Sequence, residues 1–417
     1  MLDKNFDPPP QCRLTFNASE TGPTFEFLRA YMDNDCNCPS LERLNFPGHI
    51  HVHCDQFPVD HAFYVQVICC LMFCLLIILS VSGNVTVTWI ILRHERMRTV
   101  TNYYLLNLAI SDLTITILNT GFSSIYNLYY NWFFPDWYCG FNNMMAITPI
   151  CASVFTMIVM SIDRYLAIVY PLRRRPGRNA TVSIIVIIWI FAFLFGIPAW
   201  WASKMEIHFF MDVENGNVFE DRLCLADNFP DGDSGSSAMF CIYNHTLVVM
   251  QYAVPLLILS VTYGRVAYVL RRNHDIGDTR HCESIKAKRK AANMLALVVV
   301  TFCICWLPYQ LYFFVLVDRL GNKLSFQTTL YVYMLIYFIG MMSSLTNSII
   351  YFVFSDRFRM GFRYAFRWLP WIHVKRQDYE TILLTRSRSS HLASRFSVAN
   401  TIYSSQKKNS NDSPIQL

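Results

Sequence analysis

Seven stretches of this sequence run almost free of Asp, Glu, Lys and Arg: 62–92, 101–134, 139–162, 180–203, 234–264, 291–317 and 324–354. Asp112 is the one charged residue within them. About 20 apolar residues cross the bilayer core, so each stretch is long enough to span. Charged residues make up 15% of the chain, against roughly 25% in soluble domains. Backbone amides in lipid must be satisfied internally, which leaves helices for apolar runs of this length. The expected fold is an all-α membrane protein, a seven-transmembrane helix bundle. The net charge of +6 would suit nucleic acid only if it formed one basic face. It lies instead in alternate connections, so no nucleic-acid partner is expected.

Arg93, Arg96 and Arg98 follow the first stretch, Arg173, Arg174, Arg175 and Arg178 the third, and Arg265 to Lys290 the fifth. Between the fourth and fifth, Lys204 and Arg222 stand against a run of acids. By the positive-inside rule the basic connections face the cytoplasm and the N-terminus lies outside. Residues 1–61 then form an extracellular tail, with Asn17-Ala18-Ser19 as a glycan acceptor and Cys12, Cys36, Cys38 and Cys54 open to three pairings. Residues 355–369 alternate arginines with Phe358, Phe362, Phe366 and Trp368, the pattern of a short amphipathic surface helix on the bilayer. Thr385 to Ser413 is polar and rich in Ser and Thr, and residues 370–417 are expected to be a disordered cytoplasmic tail. No cysteine follows Cys305, so this tail offers no acylation site.

Several residues within the stretches carry chemistry. Asp163-Arg164-Tyr165 ends the third, and Cys139 begins it. Cys224 lies in the next connection on the same side, where oxidising conditions permit a disulfide. Pro308, after Cys305-Trp306-Leu307, and Pro255 each interrupt a helix by removing a backbone donor. Asn347 to Tyr351 closes the seventh. With Asn84, Asp112, Trp189 and Tyr263, this set resembles the signature of rhodopsin-type G protein-coupled receptors, over residues 62–368. Runs such as Gly83 to Leu92, Arg96 to Tyr103, Met342-Ser343-Ser344 and Asp356 to Phe362 are similar to the tachykinin (neurokinin) group, with neuropeptide Y-like receptors as the nearest alternative.

That resemblance implies a plasma-membrane, multi-pass receptor for a secreted neuropeptide. It also implies an amidated ligand, a heterotrimeric G protein of Gq type acting through phospholipase C and calcium, and arrestin and a receptor kinase at the tail. Asn119, Asn142, Asn143, Tyr309, Gln310, Tyr333 and Tyr337 would line the ligand pocket, because peptide amides are met by neutral amide and phenol groups. Ala146 stands where an amine receptor keeps a carboxylate, and the seventh stretch has no Lys for retinal. Asp163, Arg164, Tyr165, Tyr263, Phe302, Trp306, Pro308, Asn347 and Tyr351 would carry activation. No cofactor is expected beyond a structural sodium ion, which Asp112 could hold with Ser153, Ser343 and Asn347; the plainer reading of Asp112 is a protonated carboxyl between helices.

Two departures stand out. Ser348 occupies the position where the family usually has Pro, and so restores a backbone donor near Tyr351. Lys288 occupies the position where many relatives have an acid restraining Arg164, so that restraint is expected to be missing. Other functions find little in the residues. No His-Glu-x-x-His, Gly-x-Ser-x-Gly or pair of intramembrane carboxylates suggests an enzyme. No internal repeat or set of buried charges suggests a transporter.

Overall fold

The computed structural model describes residues 49–54, 61–170, 173, 176–212, 217–226, 228–232, 236–272, 279–313 and 325–384. Asn17, three of the tail cysteines and residues 385–417 lie outside the described residues. Cys54 is disulfide-bonded.

Seven helices are long and apolar enough to cross a membrane. They are α1 (Phe63–Arg93), α2 (Val100–Tyr129), α3 (Asp136–Val169), α4 (Arg178–Trp201), α5 (Ala238–Val248, continuing through Val254–Arg272), α6 (Thr279–Leu311) and α7 (Phe326–Phe354). Several helices extend past their apolar stretch. In particular, α3 carries Asp163-Arg164-Tyr165 on its last turns, and α6 begins well inside the basic connection. Hydroxyls cap the starts: Thr99 accepts from the Asn102 amide, Ser325 from Thr328 and Ser237 from Phe240. Asp231 accepts in turn from Ser237 and from the Met239 amide, and these bonds hold its carboxyl below the usual range.

The helices pack through buried polar pairs as well as apolar faces. Trp189 of α4 donates to Asn107 of α2 at 2.8 Å, and Asn107 donates to Thr156 of α3 at 2.7 Å. Asn84 of α1 donates to the Ser344 carbonyl of α7 at 2.9 Å. Gly83 lets these two helices meet, since a Cβ there would stand 2.9 Å from the Ser348 Cβ. Ser348 Oγ donates to Asn84 Oδ1 at 3.0 Å. Ser348 is thus more than a restored backbone donor: it ties α7 to α1. The α7 helix runs unbroken through it.

One region departs from the all-α expectation. Strand β1 (Ile50–His53) pairs in parallel with β2 (Ser203–Asp212), which pairs antiparallel with β3 (Asn217–Ala226). This three-stranded sheet lies at the end of the bundle where α3 begins. At the opposite end, α8 (Asp356–Ala365) is the expected surface helix, stopping four residues short of the expected boundary. Gly361 lets α8 lie against Ile90 of α1.

The chain beyond α8 corrects the disordered-tail expectation for residues 370–384. A single helical turn, α9 (Arg376–Tyr379), continues into a π turn (Glu380–Leu384). Tyr379 is buried, its ring stacks on Tyr364 with centroids 3.7 Å apart, and its hydroxyl lies 2.6 Å from His94 Nε2. The other ring nitrogen of His94 donates to the Ile90 carbonyl at 2.8 Å, so the neutral ring accepts the tyrosine proton. An aromatic anchor and a buried partner hold this segment in place.

Candidate functional site

Asn119 sits in a π turn (Thr116–Thr120) that interrupts α2. Such single wide turns often occur at functional sites, and no proline or glycine within this one announces it. Asn119 Nδ2 approaches the Asn142 carbonyl and Oδ1 at 3.1 Å and Ser123 Oγ at 3.0 Å. Tyr337 of α7 donates to Asn119 Oδ1 at 3.2 Å. Asn142 Nδ2 also donates to Ser123 at 3.0 Å. One cluster of neutral amides, a hydroxyl and a phenol therefore joins α2, α3 and α7. Ser123 was not among the expected residues; it follows Asn119 by one helical turn.

Aromatic rings extend this cluster toward α6. Tyr333 lies 6.2 Å from Tyr337, Tyr312 5.9 Å from Tyr333, and Tyr309 5.5 Å from Trp306. Two expected residues stand apart. Asn143 turns toward the sheet, donating to Ser203 at 2.9 Å and approaching Cys224 Sγ at 3.5 Å. Gln310 is buried on α6 but makes no hydrogen bond to the Asn119 cluster. Adjacent positions on a helix point about 100° apart, so Asn142 and Asn143 serve different neighbours.

Cys139 and Cys224 form the disulfide, with Cα atoms 5.7 Å apart, and fasten β3 to the first turn of α3. Asn142 is three residues beyond Cys139, so the sheet is anchored one turn from the amide cluster. Of the two basic residues in this connection, Lys204 pairs with Glu206 at 2.9 Å and Arg222 pairs with Asp136.

Deeper in the bundle, Trp306 shares an apolar cluster with Phe73, Leu76, Ile115, Tyr337 and Met341. Its indole donates to Ser343 Oγ at 3.1 Å. Below it a cavity of ≈ 20 Å³ is lined by Asp112, Ser153, Phe302, Trp306, Ser343 and Asn347. Asn347 donates to Asp112 Oδ2 at 2.8 Å. Carboxylate, hydroxyl and amide oxygens are the donors a hard cation takes, and the space suffices for one water-sized particle. The expected sodium residues therefore fit their ion.

At the far end Arg164 pairs with Asp163 and with Thr101 of α2. The buried hydroxyls of Tyr263 and Tyr351 have no hydrogen-bond partner among the described residues. Tyr165 ring-stacks edge-on with Tyr170, 6.0 Å away. Pro308 lies within α6. The Lys288 side chain lies outside the described residues; two residues on, Lys290 pairs with Asp356 of α8 at 3.0 Å.

A second cavity of ≈ 750 Å³ opens between α4 and α5 among Leu194, Ile197, Pro198, Trp201, Met239 and Tyr243. Its apolar walls suit lipid chains rather than peptide amides, and it includes none of the expected site residues.

The chain is similar to known receptors. Residues 83–351 match the model of the 7 transmembrane receptor (rhodopsin family). The neuromedin-K receptor of Rattus norvegicus is 38% identical over 329 residues, covering 78% of this chain and 69% of that protein. The tachykinin-like peptides receptor 99D of Drosophila melanogaster is 34% identical over 336 residues, covering 80% and 62%. The substance-P receptor of Canis lupus familiaris is 34% identical over 316 residues, covering 75% and 74%.

Proposed function

The chain belongs to the rhodopsin-type receptor family, within its tachykinin group, and from that premise we propose that it binds a C-terminally amidated, tachykinin-like peptide and couples to a Gq-type G protein. The observation that carries this reading is the Asn119–Asn142–Tyr337 cluster, uncharged and joined across three helices. A carboxamide both donates and accepts, and so do these side chains; a free carboxylate would find no cation among them. The sheet end faces outward, in keeping with the basic connections at the other end and with the Cys139–Cys224 bond, which oxidising surroundings permit.

Peptide binding shifts a population between two helix arrangements. The peptide terminus displaces Tyr337 from Asn119 and bears on the apolar cluster around Trp306. α6 pivots at Pro308, where a backbone hydrogen bond is missing. Arg164 then leaves Asp163 for the neighbourhood of Tyr263 and Tyr351, and the opened groove takes the G protein. Sodium held by Asp112, Ser153, Ser343 and Asn347 would supply positive charge that favours the resting packing. Arrestin and receptor kinase act at the Ser- and Thr-rich residues beyond 384, and glycan at Asn17 marks the outer tail.

The deciding measurement is intracellular calcium in cells displaying the receptor, titrated with matched amidated and free-acid tachykinin-type peptides. The amide form should be the more potent by at least about tenfold, which corresponds to about 1.4 kcal/mol. Equal potency would reject the neutral-cluster reading.

A further inference from the structure

We infer that the sheet carries a site for a zinc-class divalent cation, built from His51 of β1 and Glu206 and His208 of β2. The strand registers pair His51 with His208 and place Glu206 two residues away on the same face. One ligand atom from each of the three lies within 4.8 Å of the other two. His208 Nε2 is 3.3 Å and His51 Nε2 3.8 Å from the same oxygen, Glu206 Oε2. Ligands around a tetrahedral zinc at about 2.0–2.2 Å stand roughly 3.3 Å apart, so rotations of two side chains complete the set. The fourth position stays open to water.

An ordinary ion pair explains only part of this arrangement. Lys204 takes Glu206 Oε1 at 2.9 Å, which leaves Oε2 between two imidazoles. His51 Nε2 is buried there without a hydrogen-bond partner. Glu206 itself is buried, so a carboxylate is committed to low-dielectric surroundings that reward a cation. On the strand opposite, Asp221 pairs with His208 in register, is 5% exposed, and has Oδ2 buried without a partner.

The surroundings also orient the ligands. His208 Nδ1 lies 3.0 Å from His53 Nε2, and the two rings are stacked with centroids 5.1 Å apart. A hydrogen bond on one ring nitrogen fixes which nitrogen meets the metal. Lys204 holds the carboxylate from its other oxygen in the same way. Two imidazoles and one carboxylate suit zinc, with copper and nickel able to compete, whereas calcium and magnesium call for oxygen donors throughout.

The test is calorimetric titration of the full chain, purified in detergent without peptide, with zinc chloride and, in a parallel arm, calcium chloride. One zinc per chain should bind saturably, and His51→Ala and His208→Ala should each weaken it by about 10- to 100-fold. Calcium should give no saturable heat. Zinc binding unchanged in both variants, or matched by calcium, overturns the site. His51 lies on the edge strand, so its variant tests the proposal even if His208→Ala fails to fold. The peptide dose curve of the His51→Ala receptor, measured without zinc, tells a folded variant from a lost one. The metal site rests on the sheet geometry and not on the peptide assignment, so failure of either leaves the other to be judged separately.

Discussion

The two ends of this bundle are held by different kinds of bond. At the sheet end a disulfide fixes β3 to α3, a three-stranded ladder ties residues near 50 to the connection between α4 and α5, and Arg222 grips Asp136. At the α8 end no such ladder or disulfide occurs among the described residues. Arg164 leans on its own neighbour Asp163 and on Thr101, Lys290 meets Asp356 in the open, and Tyr379 fastens the tail through one hydroxyl and one stacked ring. The first set changes little when helices shift by a few ångströms. The second consists of bonds worth about 0–1.5 kcal/mol each, which a ligand's differential affinity can remake. A receptor needs both: a stable mouth and an exchangeable base.

Removing the disulfide should give the largest effect. Cys139→Ser opens a closed segment of 85 residues, a loss of about 2–5 kcal/mol. Thermal unfolding in detergent and surface display should both fall, and the peptide response with them. Normal display and potency would show that the sheet alone secures this end.

Next in size is the amide cluster. Asn119→Ala removes the acceptor of Tyr337 and one of the partners of Asn142, which keeps Ser123, a loss of about 1–3 kcal/mol. The peptide dose curve should move to higher concentration by about 5- to 100-fold, while Tyr337→Phe moves it less because the ring remains. If Asn143→Ala shifts the curve further than Asn119→Ala, the cluster has been assigned to the wrong asparagine.

Ser348 sharpens the comparison from inside the bundle. Ser348→Ala removes the bond to Asn84 and should lower thermal stability by about 0.5–1.5 kcal/mol. Ser348→Pro removes that bond and a helix amide together, loosening α7 near Tyr351. Maximal calcium response should then rise at equal surface display; an unchanged or smaller response would mark Ser348 as a fastening between α1 and α7 only.

The tail should respond to acid. Burial, beyond what the Ile90 hydrogen bond restores, lowers His94 below its ordinary value of 6.5. The folded chain therefore keeps the ring neutral while the unfolded chain binds a proton. The contribution of His94 is present above about 6.5 and declines as pH falls below it. The protection factors of residues 376–384 against hydrogen exchange should fall between pH 7 and 5.5, and Tyr379→Phe should lower them at neutral pH. Protection that is indifferent to both changes would remove His94 as the tail's anchor.

The smallest effect belongs to Lys290. Its pair with Asp356 is more than half exposed on both sides, so it is worth about 0–1 kcal/mol. Lys290→Ala should raise signalling without peptide by no more than about fivefold at equal display. A larger rise would mean that this exposed contact, and not Arg164–Asp163, sets the resting state.

Much of this was determined by the sequence alone. Seven stretches with a single charge among them, Asp112, point to seven helices, because lipid offers backbone amides no other partner. Cys139 at the start of α3 and Cys224 in a later connection on the same side permitted the disulfide that the structure contains. The arginine and phenylalanine alternation after α7 fixes a surface helix. The resemblance to the receptor family pointed to Asn119, Asn142 and Tyr337 as pocket residues, and neutral polar groups at membrane depth do seek one another. Tertiary structure decided the rest. The π turn that rotates Asn119 toward Asn142 comes from an extra residue in the helix, which composition does not mark. Asn143 faces the disulfide because a one-residue step turns a side chain by about 100°. The strands that carry Lys204, Glu206, His208 and His51, His53 were not anticipated in an all-α reading, because their pairing is settled by contacts distant in sequence. Tyr379 likewise reads as one tyrosine in a polar tail until His94, nearly three hundred residues earlier, supplies the buried acceptor that holds it. Patterns along the chain set what each segment can become; distant partners set where its side chains end.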